Sequence, residues 1–257
     1  MGPAYIKLPE VTLVAVTSVA LEATVRALTA SLDQAEFGKA LLLSDRLPRT
    51  ALDPRIQWRE IQPLKTRSDY SRFLLRKLAD HITTSHALCV QWDGYVLDGK
   101  AWSWAFLDYD YIGAIWPHFR DGWNVGNGGF SLRSRRLLRA TADLAYDTAQ
   151  PEDVFICRTL RTALEQAGIR FAPEAVAKLF AYERTRPTGN EFGFHGSFNL
   201  IRFLDPKEAT LLLQSLEPRV LTRSEHKELL LLAIKRGYVG TALVILLRLL
   251  EQKQLMR

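Results

Sequence analysis

Scarcities constrain this 257-residue chain before any motif does. It holds only two cysteines, Cys89 and Cys157, and both lie inside apolar segments. That excludes a disulfide framework and fits small buried hydrophobes of a reducing compartment. The five histidines and two cysteines form no metal-type cluster, and the spacing of His81 and His86 is wrong for one helix face. Neither Gly-x4-Gly-Lys-Ser/Thr nor Gly-x-Gly-x-x-Gly follows the first apolar run, which disfavours a P-loop or dinucleotide-binding protein. Apolar runs fall short of the ~20 residues of a membrane span. The apolar Val11–Ala20 lacks a basic leader and is interrupted by Thr12, Thr17 and Ser18, unlike a signal peptide. The expected location is therefore cytoplasmic. No internal repeat is present. Basic residues are dispersed and form no tract, which argues against nucleic acid as a partner. A net charge of +6 and a pI near 9.4 still favour anionic partners, such as nucleotide phosphates or an acidic membrane surface.

What is present reads as one substantial core, or one domain with an appendage: 47% of residues are hydrophobic and 24% charged. Val11–Val16 is a β-branched run that predicts a buried parallel strand. Thr17 and Ser18 are placed to cap a helix carrying Leu21, Val25, Leu28 and Leu32 on one face. Gly38 is expected to stop that helix, with Ala40–Ser44 as the next strand. Such a β-α-β unit predicts parallel pairing, and ligands of open α/β sheets bind beyond the carboxyl ends of strands. Thr17, Ser18, Ser44 and Asp45 fall at those ends, where helix capping and turn formation are the competing roles. Lys65, Arg67 and Arg72 flank the start of a helix, an unfavourable place for cations unless an anion sits there. A phosphate site and a solvated basic face are the two readings. Ala87–Val90 is a further buried strand ending in Gln91-Trp92-Asp93-Gly94. Asp93 there can ligate a hard cation, orient a sugar hydroxyl or make an Asx turn. Trp102, Trp104, Phe106, Tyr109, Tyr111, Trp116, Phe119 and Trp123 follow, a density that suits both a core and stacking on sugar rings.

The chain is organised around Gly126-Asn127-Gly128-Gly129-Phe130-Ser131 and the later Pro151-Glu152-Asp153-Val154. These predict a Gly-rich turn, a short strand, a helix, and a second helix opening with two carboxylates. A carboxylate pair facing such a turn suits acid/base chemistry; it also complements a helix dipole. Gly168 is expected to end the second helix, with Ile169–Ala172 as a short strand. His195, framed by glycines, is placed as a loop ligand or donor. From Pro206 onward three Leu-rich helical segments predict an appendage that packs on the domain, self-associates or lies at a membrane surface.

Taken together, Tyr70-Ser71-Arg72-Phe73, Gln91–Tyr95, Tyr109–Trp116, Gly126–Ser134, Glu152–Phe155 and Phe192–Gly196 resemble a bacterial family of glycosyltransferase-like domains long filed as domains of unknown function. That family is similar in turn to the GT-A nucleotide-sugar transferases. The resemblance spans Val11 to Asp205. It implies an α/β, Rossmann-like GT-A fold over residues 1–205, with a mixed, mainly parallel sheet flanked by helices, and a helical appendage over 206–257. It implies a nucleotide-diphosphate sugar donor, a UDP-sugar, and transfer to a hydroxyl of a glycan or lipid-linked acceptor in cell-surface polysaccharide synthesis. Asp153 stands where the inverting enzymes carry a general base, with Glu152 as the fallback. Thr17, Ser18, Ser44, Asp45, Lys65, Arg67, Arg72, Gln91, Asp93, Gly94 and Asp110 fall on the donor side. Asn127, Gly128, Gly129 and Phe130 fall on the sugar and acceptor wall, with Trp116 and Trp123 as stacking candidates. Gln91-Trp92-Asp93 stands at the Asp-x-Asp metal motif, so Asp93 and His195 are the implied ligands for Mn²⁺ or Mg²⁺. Gln91 in place of the first acid weakens such a site. Without a metal, Lys65, Arg67 or Arg72 would offset the diphosphate. Peripheral association with the inner membrane and oligomerisation through the last helices are further expectations. A sugar hydrolase and a catalytically degenerate carbohydrate-binding or scaffolding module of the same fold remain open alternatives.

Overall fold

The structure, a computed structural model, describes residues 5–146, 150–218 and 220–254. It opens with β1 (Ile6–Thr17), α1 (Leu21–Leu32), β2 (Ala35–Ser44) and β3 (Ile56–Glu60). Helices α2 (Arg67–Arg76) and α3 (Leu78–His81) lead to β4 (His86–Val90), β5 (Tyr111–Ile112) and β6 (Phe130–Ser134). Next come α4 (Arg135–Ala142), α5 (Glu152–Val154), a π-helical turn over Phe155–Thr159, α6 (Arg161–Gln166) and α7 (Glu174–Phe180). A small parallel pair, β7 (Ala181–Tyr182) and β8 (Gly193–Phe194), precedes α8 (Ser197–Leu200) and the helices α9 (Pro206–Ser215), α10 (Arg223–Lys235) and α11 (Val239–Gln254).

The central sheet has six strands in the order β3-β2-β1-β4-β6-β5. The first four are parallel, and β6 then runs antiparallel to both β4 and β5. The fold is thus mixed α/β, with the sheet flanked by helices. Strands covered on both faces need apolar side chains throughout, and Leu13, Val14, Ala15, Leu41, Leu42, Leu43, Ala87 and Leu88 are essentially inaccessible. Each large aliphatic among them contributes roughly 1.5–3 kcal/mol of burial. The reversal at β6 positions the site. Because β6 is antiparallel to β4, Phe130 pairs with Val90, and the loop entering β6 lies against the loop leaving β4. The Gln91 N–H donates to the Gly129 carbonyl at 2.9 Å and joins the two loops.

Three local expectations are corrected. Gly38 does not end α1; it lies inside β2, where a Cβ would stand 2.1 Å from the Pro9 carbonyl oxygen. The β1–β2 register shifts between Leu8 and Thr12, and only a residue without a side chain fits that approach. Ile169–Ala172 forms no strand, because Phe171 makes only a single bridge to Tyr111. Thr17 and Ser18 do not cap α1. Its N-cap is Ala20, in left-handed conformation at φ 50°, with no side-chain cap of its own. The Glu217 carboxylate, from the turn after α9, accepts the Ala20 N–H at 2.7 Å instead.

The helices beyond Asp205 share a buried cluster with the rest of the chain: Leu213, Leu216, Leu229 and Ile245 join Ala20, Ala23, Tyr182 and Phe194. Capping boxes at Asp205 and Thr222 start α9 and α10. Leu231, Ile234, Leu243, Leu247 and Leu250 remain exposed on their outer side. No described helix is long and apolar enough to cross a membrane.

Candidate active site

Where the loops after β4 and before β6 meet α5 and β8, the surface opens into a cleft of about 560 Å³. Asp93 and Gln91 reach it from β4, Asn127, Gly128 and Gly129 from the β6 loop, Asp153 from α5, and His195 from beyond β8. The glycines make room for these groups. A Cβ on Gly129 would fall 2.0 Å from His195 Nε2, and one on Gly128 would fall 2.3 Å from Glu152 Oε1. Asn127, at φ 69°, turns the chain so that its Oδ1 accepts the Gly129 N–H at 3.0 Å and the Phe130 N–H at 3.3 Å.

The two adjacent carboxylates have parted company. Glu152 is buried, accepts from Arg133 Nη2 at 3.0 Å and lies 3.4 Å from the Ser71 hydroxyl. A carboxylate held in a buried ion pair is no free base, so its role as fallback base is withdrawn. Among the described residues Asp153 has only backbone donors, the N–H of Gly128 at 2.9 Å and of Val154 at 2.8 Å. Burial and the neighbouring Glu152 charge push its pKa up to about 6. A carboxylate poised there can take a proton near neutral pH.

Asp93 and His195 stand at the other side of the cleft, with Asp93 Oδ1 3.3 Å from His195 Nε2. That contact lacks hydrogen-bond alignment, and this buried oxygen has no hydrogen-bond partner among the described residues. Gln91 Oε1 is 3.2 Å from the same nitrogen, and Glu183 Oε1 is 3.3 Å from His195 Nδ1. Burial alone would lower the His195 pKa; the carboxylates of Asp93 and Glu183 outweigh it and raise it well above its ordinary value. Ligand atoms around an octahedral divalent cation with bonds near 2.1 Å are spaced about 3 Å apart. Asp93 Oδ1 and Gln91 Oε1 each approach that spacing from His195 Nε2, while at Nδ1 the ring meets Asn127 Nδ2 at 3.1 Å and Glu183 at 3.3 Å, which orient it. A hard divalent cation there would have one carboxylate ligand and would have to displace the Nε2 proton that Asp93 and Glu183 favour. Among the described residues no group of three or more His, Cys, Asp or Glu gathers for a stronger site.

A second pocket of about 310 Å³ continues from the cleft and shares Arg67, Tyr70, Gln91, Trp92 and Val220 with it. Thr17, Ser18, Lys65 and Glu217 line its far part. Ser18 Oγ accepts the Leu64 N–H at 2.9 Å, which draws the end of β1 towards the basic segment at Lys65–Arg67.

Other expected residues lie elsewhere. Ser44 is fully buried, donating to the Arg46 carbonyl and accepting from Trp58 Nε1. Asp45 pairs with Arg46, and Arg72 pairs with Asp69 on a separate groove beside His81. The anion at the α2 N-terminus is Asp69 itself, in a capping box with Thr66. Asp110 is buried among Ser134, Arg136 and the Arg170 N–H. Phe130 belongs to the core with Phe180 and Phe192. Trp123 packs with Arg158 and Arg161 away from the cleft. Gly94 serves close approach, since a Cβ there would meet the Phe194 carbonyl at 2.7 Å. Trp116 does line the cleft, but its ring is largely buried against Gly126.

Glu183, Arg133, Tyr70 and Glu217 were not expected as site residues. Tyr70 was signalled only as part of a family motif; its hydroxyl accepts from Gln91 Nε2 at 2.9 Å. Nothing near Glu183 or Glu217 in the sequence announces a site, because their partners are remote.

Against known proteins, the family described as "Protein of unknown function (DUF5672)" matches residues 55–195, more than half of the chain. No curated protein matches. Two solved structures of the galactosyltransferase LgtC are similar to the chain. One, in complex with donor and acceptor sugar analogues, shows 15% identity over 85% of this chain and 100% of its own, with a TM-score of 0.46. The other, an active-site mutant, shows 14% identity over the same shares, with a TM-score of 0.48.

Proposed function

The chain belongs to the DUF5672 family, and for it we propose glycosyl transfer from a nucleoside-diphosphate sugar, a UDP-sugar, to a hydroxyl of a glycan or lipid-linked acceptor. The observation that carries this reading is one cleft holding a carboxylate of pKa about 6, Asp153, together with the Asp93–His195 pair.

The nucleotide fits the smaller pocket, with Lys65 and Arg67 near its diphosphate, and the donor sugar fits the 560 Å³ cleft. Asp93, His195 and Gln91 would hold a divalent cation, which when bound neutralises charge on the leaving diphosphate. Asp153 takes the proton of the acceptor hydroxyl as that oxygen bonds to the anomeric carbon. The anomeric C–O bond to phosphate breaks with its electron pair, and the nucleoside diphosphate leaves. Displacement by an acceptor from the Asp153 side inverts the anomeric centre, through an oxocarbenium-like transition state. Gly128 and Gly129 leave room at this wall for the Glu152 carboxylate and the His195 ring.

Calorimetry with UDP, with and without Mn²⁺, tests the donor site. Micromolar binding that strengthens with the metal is expected. Failure of every nucleoside diphosphate to bind removes the reading.

A further inference from the structure

Arg133 is wholly buried in the middle of β6, between Ala87 and Tyr111 on the neighbouring strands. Its Nε donates to Ser131 Oγ at 3.0 Å and its Nη2 to Glu152 Oε1 at 3.0 Å, while Nη1 has no hydrogen-bond partner among the described residues. A buried, incompletely satisfied ion pair is a poor source of stability, and apolar replacements of such pairs are often neutral or better. Its surroundings suggest another use. Arg133 Nη2 also lies 3.4 Å from the Gly128 carbonyl, and Glu152 Oε1 sits where a Gly128 Cβ would be. The N–H of the same Gly128 donates to Asp153 Oδ2 at 2.9 Å.

We propose that Arg133 and Glu152 are a positioning pair for Asp153: they clamp Gly128 so that its N–H holds the Asp153 carboxylate at the cleft. The functional weight of this inference rests on reading Asp153 as the base. The pair also brings two fixed charges to Asp153, Glu152 disfavouring its ionised form and Arg133 favouring it. The other titratable groups facing Asp153 are Tyr111 from β5 and Cys157 from the π-helical turn. Burial raises both above their ordinary values, so they stay neutral. Arg67 lines the same cleft from α2. Asp93, Glu183, His195 and Glu225 line it as well, and among the described residues Glu152 is the acid whose charge chiefly raises Asp153.

The test is the carboxyl ¹³C titration of Asp153 in the full chain, which needs no substrate. Glu152→Gln keeps both hydrogen bonds, to Arg133 and Ser71, and removes the charge. It should lower the Asp153 titration by about one pH unit. In the double variant R133Q/E152Q, which keeps approximate shape without either charge, the titration should lie between those of E152Q and the native protein. Hydrogen exchange at the Gly128 amide should accelerate at least about tenfold in the double variant and stay slow in E152Q. An unmoved titration together with unchanged Gly128 exchange overturns the inference. If E152Q does not fold, the double variant decides alone on both readouts. If the titration shifts as expected while the pH dependence of turnover does not follow it, the pair positions Asp153 but Asp153 is not the base.

Discussion

Asp110 and Asp153 are both acids in the neighbourhood of β6, and both fall in segments that point to chemistry, yet their surroundings differ in kind. Asp110 receives the Ser134 hydroxyl, the Arg136 guanidinium at 2.5 Å and the Arg170 N–H at 2.8 Å. Burial would raise its pKa, but these donors outweigh it and hold the carboxyl below its usual range. Asp153 has two backbone N–H groups and a like charge next to it, and titrates near 6. A carboxylate saturated with donors has no capacity left for a substrate proton; an under-served one beside a cleft does. The supply of donors, more than the residue type, separates the structural acid from the proposed base.

The largest test of that contrast is Asp153→Asn. Turnover should fall about 10³-fold, while the melting temperature stays level or rises, because the variant no longer places a disfavoured charge there. Full turnover in that variant would remove Asp153 as base. Asp110→Ala should do the reverse: about 3 kcal/mol less stability in urea unfolding, from stranding Arg136, Ser134 and the Arg170 N–H, with turnover per folded molecule retained.

The pH profiles should also oppose each other. Asp153 has a raised native pKa, so its contribution to stability is full below its ordinary value of 3.8 and is lost as pH rises through about 6. Over that same rise turnover should appear. Asp110 has a depressed native pKa, so its contribution is full above 3.8 and is lost only as pH falls through the lowered native value. Urea midpoints of the native protein and the two variants across pH measure both limbs. The smallest effect concerns a third carboxylate, Glu217, half-exposed and bonded to Ala20 N–H. Glu217→Ala should cost about 1 kcal/mol, as a lost helix cap does, and weaken UDP binding severalfold. Unchanged nucleotide affinity would make Glu217 only a cap.

The strand–helix–strand opening and the buried β4 were legible from residue patterns, whereas a shared cleft for Asp93, Asp153 and His195 was implied only by the family resemblance. Periodicity reports which faces are apolar, and strand ends in such sheets are where sites form. What it does not report is the partner of each polar side chain. Ser44 and Asp45 stand at a strand end as expected, but Trp58 and Arg46 engage them. Phe130 follows the glycines directly, yet the register with Val90 turns it into the core. Gly38 looked like a helix stop because its use, the close pass of Pro9, comes from a neighbouring strand. Glu152 and Asp153 are indistinguishable by position; Arg133, nineteen residues earlier, separates them.

The cap on α1 carries a consequence for how the molecule is made. Ala20 enters its left-handed turn early in the chain, and the carboxylate that accepts its N–H lies 197 residues further on. During synthesis the first helix and the pocket wall beside it must wait, uncapped, until the turn after α9 has emerged and docked. Closure over so long a loop is slow compared with forming local helices. The smaller pocket should therefore be among the last parts of a newly made chain to be completed, well after its central sheet has formed.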